Sequence, residues 1–366
     1  MATLLITGGA GFIGANFVLH WRRLHPNDRI VVLDALTYAG NRSNLDSMRG
    51  DNQFEFVHGD ICDAELVRIL FRRCDFHIVV HFAAESHVDR SIVSSGAFVQ
   101  TNVVGTHVLL ESALGAWAHS FAGRRFHHVS TDEVYGSLEP GDPPFTELSR
   151  YDPNSPYAAS KAASDFLVRS YAHTHSLPVT ITNCANNYGP YQFPEKLIPL
   201  MIVNALAGRS LPIYGDGLNV RDWLYVEDHC VALALVLERG RPGETYNIGG
   251  GREVPNIELV GMLCDEINSR FATNKNLVSR FPDCPAAKHS RCRELMSFVK
   301  DRPGHDRRYA VCSDKFCQEL GILKQTPLKE GLVRTVDWYI ANENWWRSVE
   351  TGSYRDWIKL QYGAAT

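Results

Sequence analysis

The sequence predicts an α/β protein built on a doubly wound parallel sheet, with a smaller α/β lobe beside it. Three observations carry this. The first half alternates short apolar runs with segments of helical period, a pattern that gives a parallel sheet covered by helices on both faces. The first apolar run leads directly into a glycine cluster, TGGAGFIG at 7–14, that opens a helix. After about residue 185 the alternation stops at a turn-rich aromatic stretch, Asn186-Asn187-Tyr188-Gly189-Pro190-Tyr191-Gln192-Phe193-Pro194. With 366 residues the chain suits two lobes at roughly 150 residues per domain.

The elements follow in order. Short apolar runs predict strands at 3–7, 29–34, 54–59, 78–82, 125–130 and 178–183, and helical periodicity between them predicts helices at 11–23, 64–72, 96–113 and 156–173. Past the aromatic stretch, a helix is expected at 196–207, a strand at 211–214, a strand running into a helix over 223–238, and a strand at 245–248. The last of these suggests that the chain returns to its first lobe. The predicted division is therefore interleaved: 1–185 with 223–250 in one lobe, 186–222 with 251–366 in the other. Segment 274–293 is the least patterned and reads as a surface connection.

Composition narrows the function classes. Hydrophobic residues make up 45% of the chain and charged residues 21%, which supplies a substantial core and excludes a disordered or collagen-like chain. Lys and Arg number 37 against 41 Asp and Glu, a formal net charge of -4, so no broad basic field invites nucleic acid or an anionic membrane. An anionic ligand has to be met by a local site. The apolar stretches at 78–84 and 231–237 fall far short of the ~20 residues a membrane span needs. The short run Leu4-Leu5-Ile6 before the glycines leaves no room for a secretory signal. Nine cysteines without repeated close spacing fit the reduced thiols of a cytoplasmic protein better than a disulfide framework.

The glycine cluster sets Gly8, Gly11 and Gly14 in a G-x-x-G-x-x-G spacing between strand and helix. Glycine there allows a tight turn and close approach of backbone to a pyrophosphate, and the helix N-terminus supplies N–H donors. A glycine cluster alone is only a turn; here Asp34 ends the second strand 20 residues after Gly14, where a carboxylate accepts from ribose hydroxyls. The pattern is a Rossmann-type dinucleotide site. Asp34 would repel a ribose 2′-phosphate, so NAD is favoured over NADP, although Arg42 lies close by in sequence. The third and fourth strands end in Asp60-Ile61 and Phe82-Ala83-Ala84-Glu85-Ser86, on the edge where cofactors lie.

Tyr157 and Lys161 stand four apart at the start of a predicted helix, on one face. On most helices that is a surface pair; beside a cofactor loop it becomes a phenol whose pKa of about 10 an ammonium and a nicotinamide cation can lower. Thr131-Asp132-Glu133 follows the strand at 125–130, on the ligand edge of the sheet. Adjacent acids are usually solvated. In one confined site, however, they separate into a protonated donor and an ionised base, the equipment for eliminating water.

These residues resemble the extended short-chain dehydrogenase/reductase family, and within it the dTDP-glucose 4,6-dehydratases. The likeness runs through TGGAGFIG at 7–14, AAESHVDRS at 83–91, STDEVYG at 130–136, PYAASK at 156–161, NNYGPYQFPEKLIP at 186–199, RDWLYVEDH at 221–229 and DRPGHDRRYA at 301–310. It implies that Phe12, Ile13, Asp34, Ala35, Leu36, Thr37, Asp60, Ile61, Phe82, Ala83, Ala84, Glu85, Ser86, Thr101, Tyr157, Lys161 and Asn187 line an NAD site. It also implies that Ser86, Thr131, Asn186, Lys196, Leu197, Pro212, Ile213, Tyr214, Arg221, Asn256, Asp301, Arg302, Pro303, Gly304 and His305 hold a nucleotide sugar, with Arg221, Arg302 and His305 meeting its diphosphate. The implied chemistry is oxidation at C4 with Tyr157 as base, loss of water across C5 and C6 with Glu133 as base and Asp132 as acid, and hydride return to C6. Thr131 would orient the C4 oxygen, and helices 96–113 and 156–173 would pair in a homodimer. The chain departs from the family at Val311-Cys312, where Ile-Asp is common, and at Ala15, where serine is frequent.

Two other readings stay open: a sister dehydratase acting on a UDP- or CDP-linked sugar, and a non-catalytic NAD-binding scaffold. Cys284, His289 and Cys292 lie close in sequence, but they lack the spacing of a zinc site, and no metal is expected. His127-His128, read as a strand end, and Trp345-Trp346 are taken as packing residues, the tryptophans also as cover for a lobe boundary.

Overall fold

The computed structural model describes the backbone of residues 1–350 and 352–362, and their side chains other than those of 352, 353, 355 and 360. The predicted second-lobe segment thus extends, at 363–366, outside the described residues. Its strands are β1 (Thr3–Thr7), β2 (Arg29–Asp34), β3 (Phe54–His58), β4 (Ile78–His81), β5 (Arg125–Thr131), β6 (Val179–Cys184), β7 (Asn186–Tyr188), β8 (Leu211–Tyr214), β9 (Val220–Tyr225), β10 (Thr245–Ile248), β11 (Glu253–Pro255) and β12 (Met296–Val299). Seven of them form one sheet in the order β10-β6-β5-β4-β1-β2-β3, every pairing parallel.

Strand alternation covers both faces. Leu4, Ile6, Ile30 and Val32 pack into one core with the helix Phe12–Leu24. Their neighbours Leu5, Val31 and Leu33 pack into another core with Leu109 and Leu110 of the helix Thr106–Ala116. Chain order reverses between β1 and β4, so the connections leaving their carboxyl ends run to opposite faces of the sheet and open a crevice, the place where sheets of this kind bind ligands.

The helix expected at 96–113 is helical throughout, but Val99–Gly105 has π-helical hydrogen bonding between α-helical Gly96–Phe98 and Thr106–Ala116. Such a turn re-aims side chains. Here buried Asn102 accepts from Glu85 N–H and donates to the Glu85 carbonyl and to Ser160 Oγ, tying the β4 loop to the helix Pro156–His175.

A third core gathers Met201 and Ile202 of the helix Leu197–Leu206, Leu259 and Leu263 of Asn256–Thr273, Tyr339, and Trp346. Beside it lie a three-stranded sheet β11-β9-β7 and the parallel pair β12-β8. Two sequence expectations change here. The strand expected within 223–238 pairs in this small sheet rather than the large one, while the helix that follows it, Val226–Arg239, packs back on Phe12–Leu24 and β10 joins the large sheet beside β6. Segment 274–293 is not a surface connection: Leu277, Phe281, Cys284 and Cys292 are buried in the third core. Its turns are irregular, so periodicity could not reveal which side chains point inward.

Candidate active site

The glycine loop is shaped by close backbone contacts. Gly8 has φ 69°, and a Cβ there would stand 2.6 Å from Ala83 N; one on Gly14 would stand 2.2 Å from the Gly8 carbonyl oxygen. Neither distance tolerates a side chain. Gly11 caps the Phe12–Leu24 helix without a side-chain acceptor, leaving first-turn N–H groups for an anion. Asp34 closes β2 with its carboxylate accepting from Ala10 N–H at 2.9 Å and Leu36 N–H at 2.8 Å. Burial raises its pKa against those two bonds. Asn44 donates to the Ala10 carbonyl and accepts from Trp345 Nε1, so this tryptophan does reach across to the glycine loop, while Trp346 is wholly buried.

One cleft runs from this loop along the strand ends. Gly8, Gly11, Phe12, Ile13, Gly14, Asp34, Ala35, Thr37, Asp60, Ile61, Phe82, Ala83, Ala84, Glu85, Ser86 and Thr101 line it, and so do Thr131, Asp132, Glu133, Tyr157, Lys161, Asn186, Asn187 and Lys196. Leu36 does not. It sits in the left-handed region at φ 50°, and its contribution is the backbone N–H that holds Asp34. A backbone cradle that any Cβ would fill, beside a buried carboxylate, fits a dinucleotide.

Thr131 is the last residue of β5, one residue beyond the expected end, and its Oγ1 accepts from Glu133 N–H and donates to Asp132 Oδ1, each at 3.3 Å. Asp132 is 1% exposed, and its Oδ2 has no hydrogen-bond partner. Burial first, then the Glu133 and Asp222 carboxylates, push its pKa far above the usual carboxylate range. Burial also raises Glu133, opposed by Lys196, Arg221 and Arg302.

Tyr157 lies in the first turn of Pro156–His175, whose N-cap Ser155 accepts from Ala158 N–H. The sequence reading has the phenol acidified by Lys161 together with a nicotinamide cation. Lys161 Nζ donates to the Val129 carbonyl at 2.9 Å and lies 3.3 Å from His128 Nε2. Burial lowers its pKa to about 8. Burial and Glu133 raise the Tyr157 pKa well above its ordinary value, with only the Thr131 hydroxyl among the causes that lower it. Within the chain, burial is the largest influence on the phenol and opposes its ionisation; a nicotinamide cation in the cleft would act against it. His128 lies within β5, not at a strand end, and it stands 3.2 Å from buried Asp165, so it belongs to the surroundings of Lys161.

A second cleft opens off the first, sharing Glu133, Asn186, Asn187 and Lys196 and reaching Leu197, Pro212, Tyr214, Arg221, Asn256, Arg302, Gly304 and His305. Arg221 is anchored by the Val220 and Asp306 carbonyls and stacks 4.4 Å over Tyr309. Arg302 makes a two-pronged pair with Asp89 at 2.5 and 2.9 Å. Five residues expected to hold the sugar nucleotide are not there: Ser86 and Thr131 line the first cleft instead, and three others line neither. Ile213 alternates away from Pro212 and Tyr214 into the third core, Asp301 accepts from or pairs with His305 Nδ1 at 2.7 Å behind the cleft, and Pro303 stands outside it. His305 also differs from expectation: burial lowers its pKa to about 4, so near neutral pH it is an uncharged imidazole whose Nδ1–H is taken up by Asp301, and it brings no positive charge to the cleft.

Asp89, Glu195 and Tyr309 line the second cleft without having been singled out. All three fall inside or beside motifs already recognised, AAESHVDRS, EKLIP and RRYA. Tyr362, which also lines it, had no such signal.

The GDP-mannose 4,6 dehydratase family profile matches residues 5–335. A dTDP-glucose 4,6-dehydratase of Shigella flexneri is 48% identical over 371 residues, covering 98% of each chain. One from Xanthomonas campestris pv. campestris (strain B100) is 52% identical over 360 residues, covering 97% of this chain and 98% of its own. This chain belongs to the dTDP-glucose 4,6-dehydratase family. Among solved structures, DesIV from Streptomyces venezuelae, a dTDP-glucose 4,6-dehydratase with NAD and TYD bound, is similar with TM-score 0.84 and 48% identity, covering 95% of this chain and 99% of that one. The dTDP-glucose 4,6-dehydratase of Bacillus anthracis str. Ames in complex with NAD has TM-score 0.81 and 42% identity, covering 95% and 100%. Within the family fold, the acid pair Asp132-Glu133 sits where the two clefts meet. Cys284 and Cys292 place their Sγ atoms 3.7 Å apart in the third core, and no cluster of three or more metal-binding side chains occurs among the described residues.

Proposed function

We propose that this chain is an NAD-dependent hydro-lyase that converts dTDP-glucose to dTDP-4-keto-6-deoxyglucose and water. The observation that carries the reading is the position of Glu133, which lines the cofactor cleft beside Tyr157 and also lines the second cleft beside Lys196, Arg221 and Arg302. An acid pair at that junction faces a sugar held between the two.

Gly8, Gly11, Gly14 and Asp34 would hold NAD, which would supply reversible hydride transfer between C4 and C6 of the sugar. Tyr157 takes the C4 hydroxyl proton. Thr131 orients the C4 oxygen. Glu133 removes the C5 proton, which the adjacent ketone has acidified, and later returns it. Asp132, kept protonated by burial and by Glu133, donates to the departing C6 hydroxyl. Arg221 and Arg302 supply the local positive site for the diphosphate that a net charge of -4 does not. In this reading the lobe built on the large sheet holds NAD, and the lobe around the third core holds the nucleotide sugar.

Two further parts of the proposal concern setting. A homodimer is supported by exposed Val99, Val104 and Phe166 on the segment 96–116 and the helix Pro156–His175; sedimentation at monomer mass would refute it. A cytoplasmic location is supported by nine free cysteines, and no described helix is long and apolar enough to cross a membrane. The function is tested by incubating purified protein with dTDP-glucose and no added NAD, alongside UDP- and CDP-glucose. Alkali-absorbing 4-keto product from dTDP-glucose alone is expected, and turnover of none of the three sugars would overturn the reading.

A further inference from the structure

The reaction proposed above leaves the protein altered by one proton. On that reading the C4 hydroxyl proton ends on Tyr157, the C5 proton goes to Glu133 and back to C5, and the Asp132 proton leaves with the C6 hydroxyl as water. The hydrogen removed from C4 ends on C6, so the sugar has lost H2O with no net oxidation or reduction. Tyr157 has gained a proton and Asp132 has lost one. A second turnover needs Tyr157 ionised and Asp132 protonated, so one proton must travel from the phenol to the carboxylate in every cycle.

One hydroxyl is shared by the surroundings of both: Thr131 Oγ1 donates to Asp132 Oδ1 at 3.3 Å, and its side chain lines the same cleft as the Tyr157 phenol, whose ionisation it favours. The Glu133 N–H donates to Thr131 Oγ1 at 3.3 Å, which leaves the hydroxyl proton directed at Asp132. Asp132 Oδ2 carries no hydrogen bond in the protein, so one carboxyl oxygen is available to the departing hydroxyl while the other faces Thr131. Thr131 is 8% exposed, Asp132 1% and Tyr157 9%, which disfavours exchange through bulk water once a sugar fills the cleft.

We propose that Thr131 is the proton relay that resets the site between turnovers. Its hydroxyl proton passes to Asp132 Oδ1 as it accepts the phenol proton of Tyr157. The Tyr157 O–H bond breaks as a new Thr131 O–H bond forms, the old Thr131 O–H bond breaks as an Asp132 O–H bond forms, and a half-turn of the carboxyl group then presents that proton to the C6 side. The result is a phenolate, an intact threonine hydroxyl and a carboxylic acid, with no outside reactant.

The test separates the first turnover from those that follow. Thr131→Val keeps the branched shape and removes the hydroxyl. With enzyme in excess over dTDP-glucose it uses protons already in place; in steady state it must reset. The steady-state rate of Thr131→Val is expected about tenfold or more below its own single-turnover rate, with Thr131→Ser restoring equality and imidazole raising only the steady-state rate. Equal falls in both rates would overturn the relay. A readout independent of that variant uses the wild-type protein in weakly buffered indicator dye. Internal transfer gives no proton transient in the first turnover, whereas release and recapture of about one proton per site refutes it. Absence of product from wild-type protein would instead count against the proposed function itself.

Discussion

Replacing Asp89 by Asn weakens an ion pair that spans the β4 loop region and the 301–305 segment at the edge of the second cleft, and leaves the amide oxygen to accept from the Tyr214 hydroxyl. Asp89 is 4% exposed and holds Arg302 through both carboxylate oxygens, while the Arg302 side chain is 21% exposed. Removing one partner of a fully buried pair costs about 3–5 kcal/mol, mostly from the charge left behind. The partial exposure of Arg302 and the amide's remaining oxygen reduce this to about 2–3 kcal/mol. A bound diphosphate offers Arg302 a replacement counter-charge, so the complex loses less than the free protein. If half the loss is recovered, dTDP binds Asp89→Asn about tenfold more tightly than wild type. Urea unfolding with and without dTDP measures the first quantity and titration calorimetry the second. Unchanged stability, or weaker dTDP binding, would show that Asp89 positions Arg302 for the ligand rather than competing with it, and the reasoning would fail.

Three other outcomes are expected. Glu133→Gln retains NAD, measured by assaying the cofactor released on denaturation, yet forms alkali-absorbing product at least about 100-fold more slowly, the scale of a lost general base; normal turnover would remove Glu133 from the chemistry. Gly8→Ala, with φ 69° and its Cβ 2.6 Å from Ala83 N, lowers thermal stability and copurifies without cofactor, and normal NAD content would contradict the cradle geometry. His229 is buried, and burial depresses its pKa to about 3, below its ordinary 6.5. The unfolded chain therefore takes up the proton first, so stability falls as pH drops below about 6.5; between pH 7 and 5 the wild type should lose about 2 kcal/mol more than His229→Gln in urea unfolding.

Features set by short stretches of chain were legible early. The strands that make the large sheet are compact apolar runs, and the glycine loop announces itself because a tight turn and a helix start impose their requirements within eight residues. Asp34, Tyr157 and Lys161 could be singled out for the same reason: spacing along one strand or helix places them. Register-dependent features were less accessible. The π-helical turn at Val99–Gly105 shifts hydrogen bonding by one residue without breaking helical periodicity, and nothing local marks it as the support of the β4 loop. The family resemblance implies the same role for Pro212, Ile213 and Tyr214, whereas alternation in β8 sends the middle one to the core.

By itself, the sequence determined the doubly wound sheet, the dinucleotide loop and the residue types available for an elimination, because these depend on local periodicity and short-range spacing. The tertiary structure alone decided which sheet β9 joins, that segment 274–293 is core, that Asp89 meets Arg302 across 213 positions, and that burial opposes ionisation of Tyr157 while Lys161 turns to Val129. Those outcomes depend on burial and on charges brought together from distant parts of the chain. Desolvation has no signature in a linear string, and here it sets the protonation of Asp132, Tyr157 and His305 alike.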